Sequence, residues 1–196
     1  MTTVEPEETS FYSQEELDSL GFKFLGRNVQ LSRKASYYGR GEMSFGDFSR
    51  VDDFTVVSGQ VEVGRYVHIS NNSTLIAGDE PIEIGDFSTV SFGCRLFSKS
   101  DDLSGEFLIN PTVPKELNHV IHAKLTIGRF VSIGCNSIIL PGLTLADGTG
   151  LGAGTLLNRS TEYFGKYIGV PARRMGSKSE RMMELGEEVL KRDSQQ

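Results

Sequence analysis

The chain has no tryptophan, and only two cysteines and three histidines in 196 residues. Each scarcity excludes something. Cys94 and Cys135 cannot build a disulfide framework. His68, His119 and His122 give little material for a multi-histidine metal centre, and no metal is expected. No apolar stretch is long enough to cross a bilayer as a helix, so membrane insertion is not expected. Lysine and arginine number 20 against 26 aspartates and glutamates, a net charge of −6 with no basic run, which argues against nucleic acid or anionic lipid as a partner. Glu5, Glu7 and Glu8 give the first residues the wrong charge for a leader. These features predict a soluble protein of a reducing compartment, the cytoplasm.

What is present is a period of six. An aliphatic or aromatic anchor recurs at Phe45, Val51, Val57, Val63, Ile69 and Leu75. It resumes at Ile84, Val90 and Leu96, and again at Ile127, Ile133, Ile139, Leu145, Leu151 and Leu157. Two positions before the anchor the residue is small or apolar, as at Val61, Val67, Ser73, Cys94, Val131 and Thr155. A glycine often follows it, as at Gly46, Gly64, Gly85, Gly128, Gly134 and Gly152, and is read as the residue of a tight corner. Neither a lone helix nor a lone strand repeats every six residues. A short strand plus a turn does, and three such sides close one coil of a parallel β-helix. Strand side chains alternate, so the anchor and the residue two before it both point inward.

The remaining segments fall outside this register. Residues 1–24 read as a polar tail and a short helix: Ser13 and Glu16 form a capping box, and Gly21 stops the helix. Leu25 and Leu31 are imperfect first anchors of a β-helical domain spanning 25–175, interrupted by a long loop at 98–124. The segment from Ile168 to Arg173 is expected to leave the coil, and 176–196 holds a C-terminal helix over about Lys178 to Lys191, packed on its own coil or on a neighbouring subunit. The three-residue insertion near Asp79, the long loop and the exit near Arg159 each follow anchors of one face. Insertions collected at one corner mark the functional side of a solenoid.

The register, the loop after Leu96, Ile133-Gly134-Cys135-Asn136-Ser137 followed by Pro141-Gly142, Leu151-Gly152-Ala153-Gly154, and Gly169-Val170-Pro171-Ala172-Arg173 resemble bacterial hexapeptide-repeat acyltransferases, of the galactoside and maltose O-acetyltransferase type and of the sugar acetyltransferases of polysaccharide gene clusters. The resemblance covers about residues 43–175. It implies a left-handed parallel β-helix, a homotrimer, acetyl-coenzyme A as co-substrate in a groove between subunits, and a sugar or nucleotide-sugar acceptor for surface polysaccharide. By the same resemblance Cys135, Ala153 and Asn158 line the coenzyme groove, Arg173 holds the coenzyme phosphate, and Asn71 and Asp79 contact the acceptor. An arginine fork suits phosphate oxygens.

One departure bears on mechanism. The slot where the family carries its loop histidine holds Asp101, followed by Asp102. Acyl transfer to a hydroxyl or amine needs a group to take the acceptor proton. Among the histidines, His68 stands one residue before the anchor Ile69 and points outward near Asn71. It is the candidate base, with Asp101 of a neighbouring subunit orienting it, while His119 and His122 read as loop or interface residues. Two alternatives are weighed. A β-helical carbonic anhydrase needs three histidines on regular coils, and two of those here lie in the loop. A non-catalytic β-helical scaffold fits the missing loop histidine but leaves the coenzyme-groove pattern unexplained; stabilisation by coenzyme A would separate it from an enzyme.

Overall fold

A computed structural model describes residues 10–195, and the expectation of a polar tail at 1–9 lies outside them. The period of six folds as read. Three faces of parallel strands stack around one axis. The first face runs Phe24–Leu25, Ser44–Phe45, Val61–Val63, Ile82–Ile84, Leu125–Ile127 and Thr144–Leu145. The second begins Gln30–Leu31, Arg50–Val51, His68–Ile69, Thr89–Val90, Ser132–Ile133 and Gly150–Leu151; the third runs from Ser36–Tyr38 to Leu156–Leu157. Each strand pairs in parallel with its counterpart one coil away, for example Val90 with both Ile69 and Ile133.

All fifteen anchors from Phe45 to Leu157 are buried, at 5 % exposure or less. Between them, the inward small residues Ser73, Ser137, Thr149 and Thr155 are also buried, and the hydroxyls of Ser73, Ser137 and Thr155 bond to backbone carbonyls at the corners. Burying a hydroxyl is tolerable only with such a partner. The regular coil starts earlier than its first strong anchor: Leu31 is fully buried and Phe24–Leu25 already pairs with Ser44–Phe45.

The glycine after the anchor has a different cause from the one expected. A Cβ on Gly46 would lie 2.7 Å from the carbonyl carbon of Gly64 in the next coil, so glycine is needed for close stacking of coils. The left-handed conformation falls two residues further on, at Phe48, Tyr66, Phe87 and Phe130, with φ of 57° to 60°. Their rings form a parallel stack with centroids 4.8, 5.0 and 5.1 Å apart.

Helix α1, Gln14–Ser19, has the expected capping box and ends before Gly21 at φ +73°. Helix α2, Arg181–Asp193, starts three residues later than read and lies on its own coil. Its buried Gly186 sits against Phe130 and Phe87, and Tyr66 donates to Asp193. The segment from Ile168 to Arg173, expected to leave the coil, is the turn between two strands that stay on it. Gly165–Ile168 pairs in parallel with Gly150–Leu151, and Arg173–Ser177 folds back on it antiparallel.

Candidate active site

The third face carries every large irregularity. The insertion at 78–80 follows Thr74–Ile76, the excursion follows Arg95–Phe97, and the exit follows Leu156–Leu157, all strands of one sheet. The excursion begins and ends as an antiparallel hairpin, Lys99–Asp101 against Val120–His122. Pairing sets Asp101 opposite Val120 and Lys99 opposite His122.

Asp79 and the hairpin meet as expected. His122 Nδ1 accepts the Asp79 backbone N–H at 2.8 Å, and its Nε2 lies 3.8 Å from the exposed Asp79 carboxylate. Gly78 leaves the space that the imidazole occupies. Accepting at Nδ1 places the ring proton on Nε2, so His122 positions the corner and offers no free lone pair. Under the hairpin is a cavity of about 340 Å³ whose lining includes Ile76, Phe97, Lys99, Asp101, Asn110 and Val120. Among the described residues the Asp101 carboxylate has no hydrogen-bond or ion-pair partner, and neither has the Lys99 ammonium on the same strand.

Asp102 points to the other side of the hairpin. His119 Nδ1 donates to Asp102 Oδ2 at 2.8 Å, Asp102 also takes the Ser104 N–H, and His119 leans on Phe107. The His119 hydrogen bond, first, and that of Ser104 hold the Asp102 carboxyl down at about 2.

His68 faces outward from the second face, as expected, but its carboxylate is Asp52 of its own chain. His68 Nε2 lies 2.8 Å from Asp52 Oδ2, and Arg50 Nε donates to the other oxygen at 2.6 Å. Stacking explains the pair: Arg50 and His68 are register partners one coil apart, and Asp52 is the next outward position on the Arg50 strand. Asp52 and Asn71 share a shallow recess with Phe54 and Phe11. Sequence reasoning missed Asp52, although the stacking distance of about one coil between Arg50 and His68 would have pointed to it.

At the C-terminal end, Cys135 and Ala153 occupy the same corner in successive coils, where Gly154 N–H donates to the Cys135 carbonyl at 2.7 Å. Asn158 is exposed one residue beyond the last third-face strand, and exposed Arg173 opens the returning strand. Within one chain these residues form three separate groups: the hairpin corner, the His68–Asn71 corner, and the C-terminal coils. Among the described residues no cluster of histidine, cysteine and carboxylate side chains could hold a metal ion.

No family profile matches the chain. A dTDP-4-amino-4,6-dideoxy-D-glucose acyltransferase of Escherichia coli is 35 % identical over 185 residues, 93 % of this chain and 95 % of the relative. The chain belongs to the hexapeptide-repeat sugar acyltransferases. AntD of Bacillus cereus, an N-acyltransferase solved with dTDP and 3-hydroxybutyryl-CoA, is 37 % identical, with TM-score 0.92 over 95 % of this chain and 100 % of AntD. A serine-to-cysteine variant of AntD was solved with dTDP-4-amino-4,6-dideoxyglucose and coenzyme A. A maltose O-acetyltransferase of Clostridium difficile, at 16 % identity and TM-score 0.55 over 85 % of this chain and 75 % of that one, shares the fold alone. The architecture of this acyltransferase is thus the left-handed parallel β-helix.

Proposed function

We propose that this acyltransferase is an N-acyltransferase that moves an acyl group from coenzyme A to the amine of a dTDP-linked 4-amino-4,6-dideoxy sugar. The observation that carries this reading is the full-length relationship to enzymes named for, or solved with, that sugar and coenzyme A. The amine attacks the thioester carbonyl, the new C–N bond forms, the C–S bond breaks, and the amine's proton passes by way of a base to the departing thiolate. A homotrimer brings the three groups of residues together, with the coenzyme against Cys135, Ala153 and Asn158, its phosphate on Arg173, and the acceptor near Asn71 and Asp79.

An amine acceptor changes the task of the site residues. An ammonium must first be held and deprotonated, and an unpartnered carboxylate serves the first need. Asp101 fits it, beside an apolar cavity that takes the deoxy end of a sugar. The AntD variants give separate support. An altered serine and an altered aspartate stand ten positions apart in that protein. Here Ser91 and Asp101 have that spacing, whereas at the other such pair, Ser137 and Asp147, the serine is buried in the coil. His68 is already held by Asp52 within the coil, so Asp101 also takes the amine's proton. Asp102 supports the hairpin through His119. A cytoplasmic setting and a place in surface-polysaccharide synthesis follow from a nucleotide-linked acceptor.

The test is thiol release from acetyl-CoA and 3-hydroxybutyryl-CoA with dTDP-4-amino-4,6-dideoxyglucose, against the 4-hydroxy analogue. Release with the amino sugar alone is expected. Release only with the hydroxy sugar would make the enzyme an O-acyltransferase. No release, with no thermal shift on adding coenzyme A, would sink the enzyme reading.

A further inference from the structure

The hairpin corner carries two unpaired charges of opposite sign. Alternate residues of the strand Lys99–Asp101 point to one side, so Lys99 and Asp101 both line the cavity beneath it. Ile76, Phe97 and Val120 make the apolar part of that cavity. Among the described residues neither Lys99 nor Asp101 forms an ion pair, with the other or with anything else. By contrast, Lys23, Lys34 and Lys124 are all matched with carboxylates of other coils. The root of the Lys99 side chain is fixed in place: a Cβ on Gly78 would lie 2.9 Å from Lys99 Cβ, and His122 is its register partner across the hairpin.

The other charged groups around the cavity are engaged or lie outside it. His122 accepts the Asp79 N–H, and its Nε2 lies 3.8 Å from the Asp79 carboxylate. Arg95, on the third-face strand that leads into the hairpin, donates to the carbonyls of Asn72, Gly93 and Cys94. Asp102 holds His119 on the far side of the hairpin. Glu80, Lys115 and Glu116 are exposed and do not line the cavity. Lys99 is therefore the one fixed cation that shares the cavity with Asp101.

A carboxylate alone is a poor host for an amine acceptor. It holds the ammonium and thereby favours the protonated form, which has no lone pair to attack a thioester. A fixed cation facing the same cavity acts in the opposite sense. Residues two apart on a strand are separated by about 7 Å. At that distance one positive charge eases the loss of a proton from another by roughly 0.4 pH unit in water and roughly 1.7 at a protein surface.

We propose, on the acyl-transfer reading given above, that the Lys99 ammonium keeps the amine of the bound acceptor in its neutral form, with the lone pair free for the thioester. The neutral amine attacks the carbonyl carbon, the C–N bond forms and the C–S bond breaks. The nitrogen, now positive, gives its proton to Asp101, and from there it passes to the departing thiolate. Lys99 acts through the field in the cavity and takes no proton itself.

The experiment counts protons. The whole protein is titrated calorimetrically with dTDP-4-amino-4,6-dideoxyglucose near pH 8, about the ordinary value of an α-amino group, in two buffers of different ionisation enthalpy. The 4-hydroxy analogue, titrated in the same way, removes every contribution except that of the amine. Wild type is compared with Lys99→Met, Lys99→Gln and Lys99→Arg. Methionine and glutamine keep a stem against Gly78 without the charge, so one can stand in if the other does not fold. Arginine keeps the charge and cannot give up its proton. The neutral variants are expected to release a few tenths of a proton fewer per amino sugar bound. Their kcat should fall on the acid side about 0.4–1.7 pH units higher, while the limb of kcat/KM, which reports the free sugar, stays in place. Lys99→Arg should follow wild type in both. Equal proton release by wild type and the neutral variants would overturn the proposal, and a raised KM alongside it would make Lys99 a substrate contact only. Loss of release in Lys99→Arg would also overturn it, because the proton would then have come from the lysine. Wild type that neither binds the amino sugar nor releases thiol would take down the acyl-transfer reading itself; one that binds and turns over with equal proton counts takes down Lys99 alone.

Discussion

The coil and the hairpin that interrupts it are built by opposite means. In the coil every anchor is buried, and each strand repeats the hydrogen bonds of the strand one coil before it. Across residues 99–124 no side chain is fully buried. There the shape rests on polar staples: His119 on Asp102, His122 on the Asp79 backbone, and Asn118 Nδ2 on the Leu108 carbonyl. A repeated apolar column gives stability to which each coil adds through its neighbours. A polar staple gives position without much stability, which suits a segment that must carry an uncommitted carboxylate. The difference predicts that variants will separate cleanly into those that unfold the chain and those that silence it.

The largest effect belongs to the column. Leu96 is fully buried between Leu75 and Ile139. Leu96→Ala should cost about 2–5 kcal/mol by chemical denaturation, from lost burial and the cavity left behind. A loss below about 1 kcal/mol would mean that the coil is less tightly stacked than its register implies. Asp101→Asn should do the reverse: unfolding unchanged, and kcat/KM for the amino sugar lower by about a hundredfold, or ~2.7 kcal/mol in the barrier. His68→Asn is expected to cost less than about tenfold, because its imidazole is already engaged by Asp52 within the coil while Asp101 is free. The opposite ranking would move the proton transfer from the loop to the coil. Gly186→Ala tests the contact between helix and coil. Its Cβ would fall 2.6 Å from the Phe130 ring. Overpacking of about 1–3 kcal/mol, offset by about 1 kcal/mol of helix propensity, leaves a net loss of up to about 2 kcal/mol in unfolding free energy. A gain in stability would show that α2 adjusts freely on the ring stack.

The same contrast decides what was legible in the sequence. The anchors were, because burial at every sixth position leaves the same mark fifteen times. So was the clustering of insertions on one face, since counting sides from Phe45 needs only the period. The aromatic stack was written just as plainly, at three residues after the first-face anchors Phe45, Val63, Ile84 and Ile127, but a residue outside the inward pattern carries no burial signal to search for. His68–Asp52 was hidden because coil stacking, and not sequence distance, makes them neighbours. The hairpin was not legible at all. Its strands are three residues each, and it holds through pairs such as His119–Asp102 that occur once. The return of Gly165–Ile168 to the second face was missed because it carries no anchor in register.

The smallest effect is a pH dependence confined to the hairpin. The Asp102 carboxyl sits at about 2, held down first by the His119 hydrogen bond, against about 3.9 for a free aspartate. A carboxyl lowered in the folded state favours that state above its unfolded value and stops doing so as pH falls through the lowered one. The staple should therefore be intact at pH 4 and about half open near pH 2. Pepsin, which works across this window, reports it: at pH 4 the wild-type hairpin should be cut within 99–122 several times more slowly than that of Asp102→Asn, and near pH 2 the difference should shrink. A ratio that persists unchanged at pH 2 would mean that Asp102 holds the hairpin through its shape and its neutral hydrogen bonds. Equal cleavage at pH 4 would mean that the strand pairing of Lys99–Asp101 with Val120–His122 suffices without the staple. Only the expected pattern keeps the division between a coil secured by burial and a loop secured by charge.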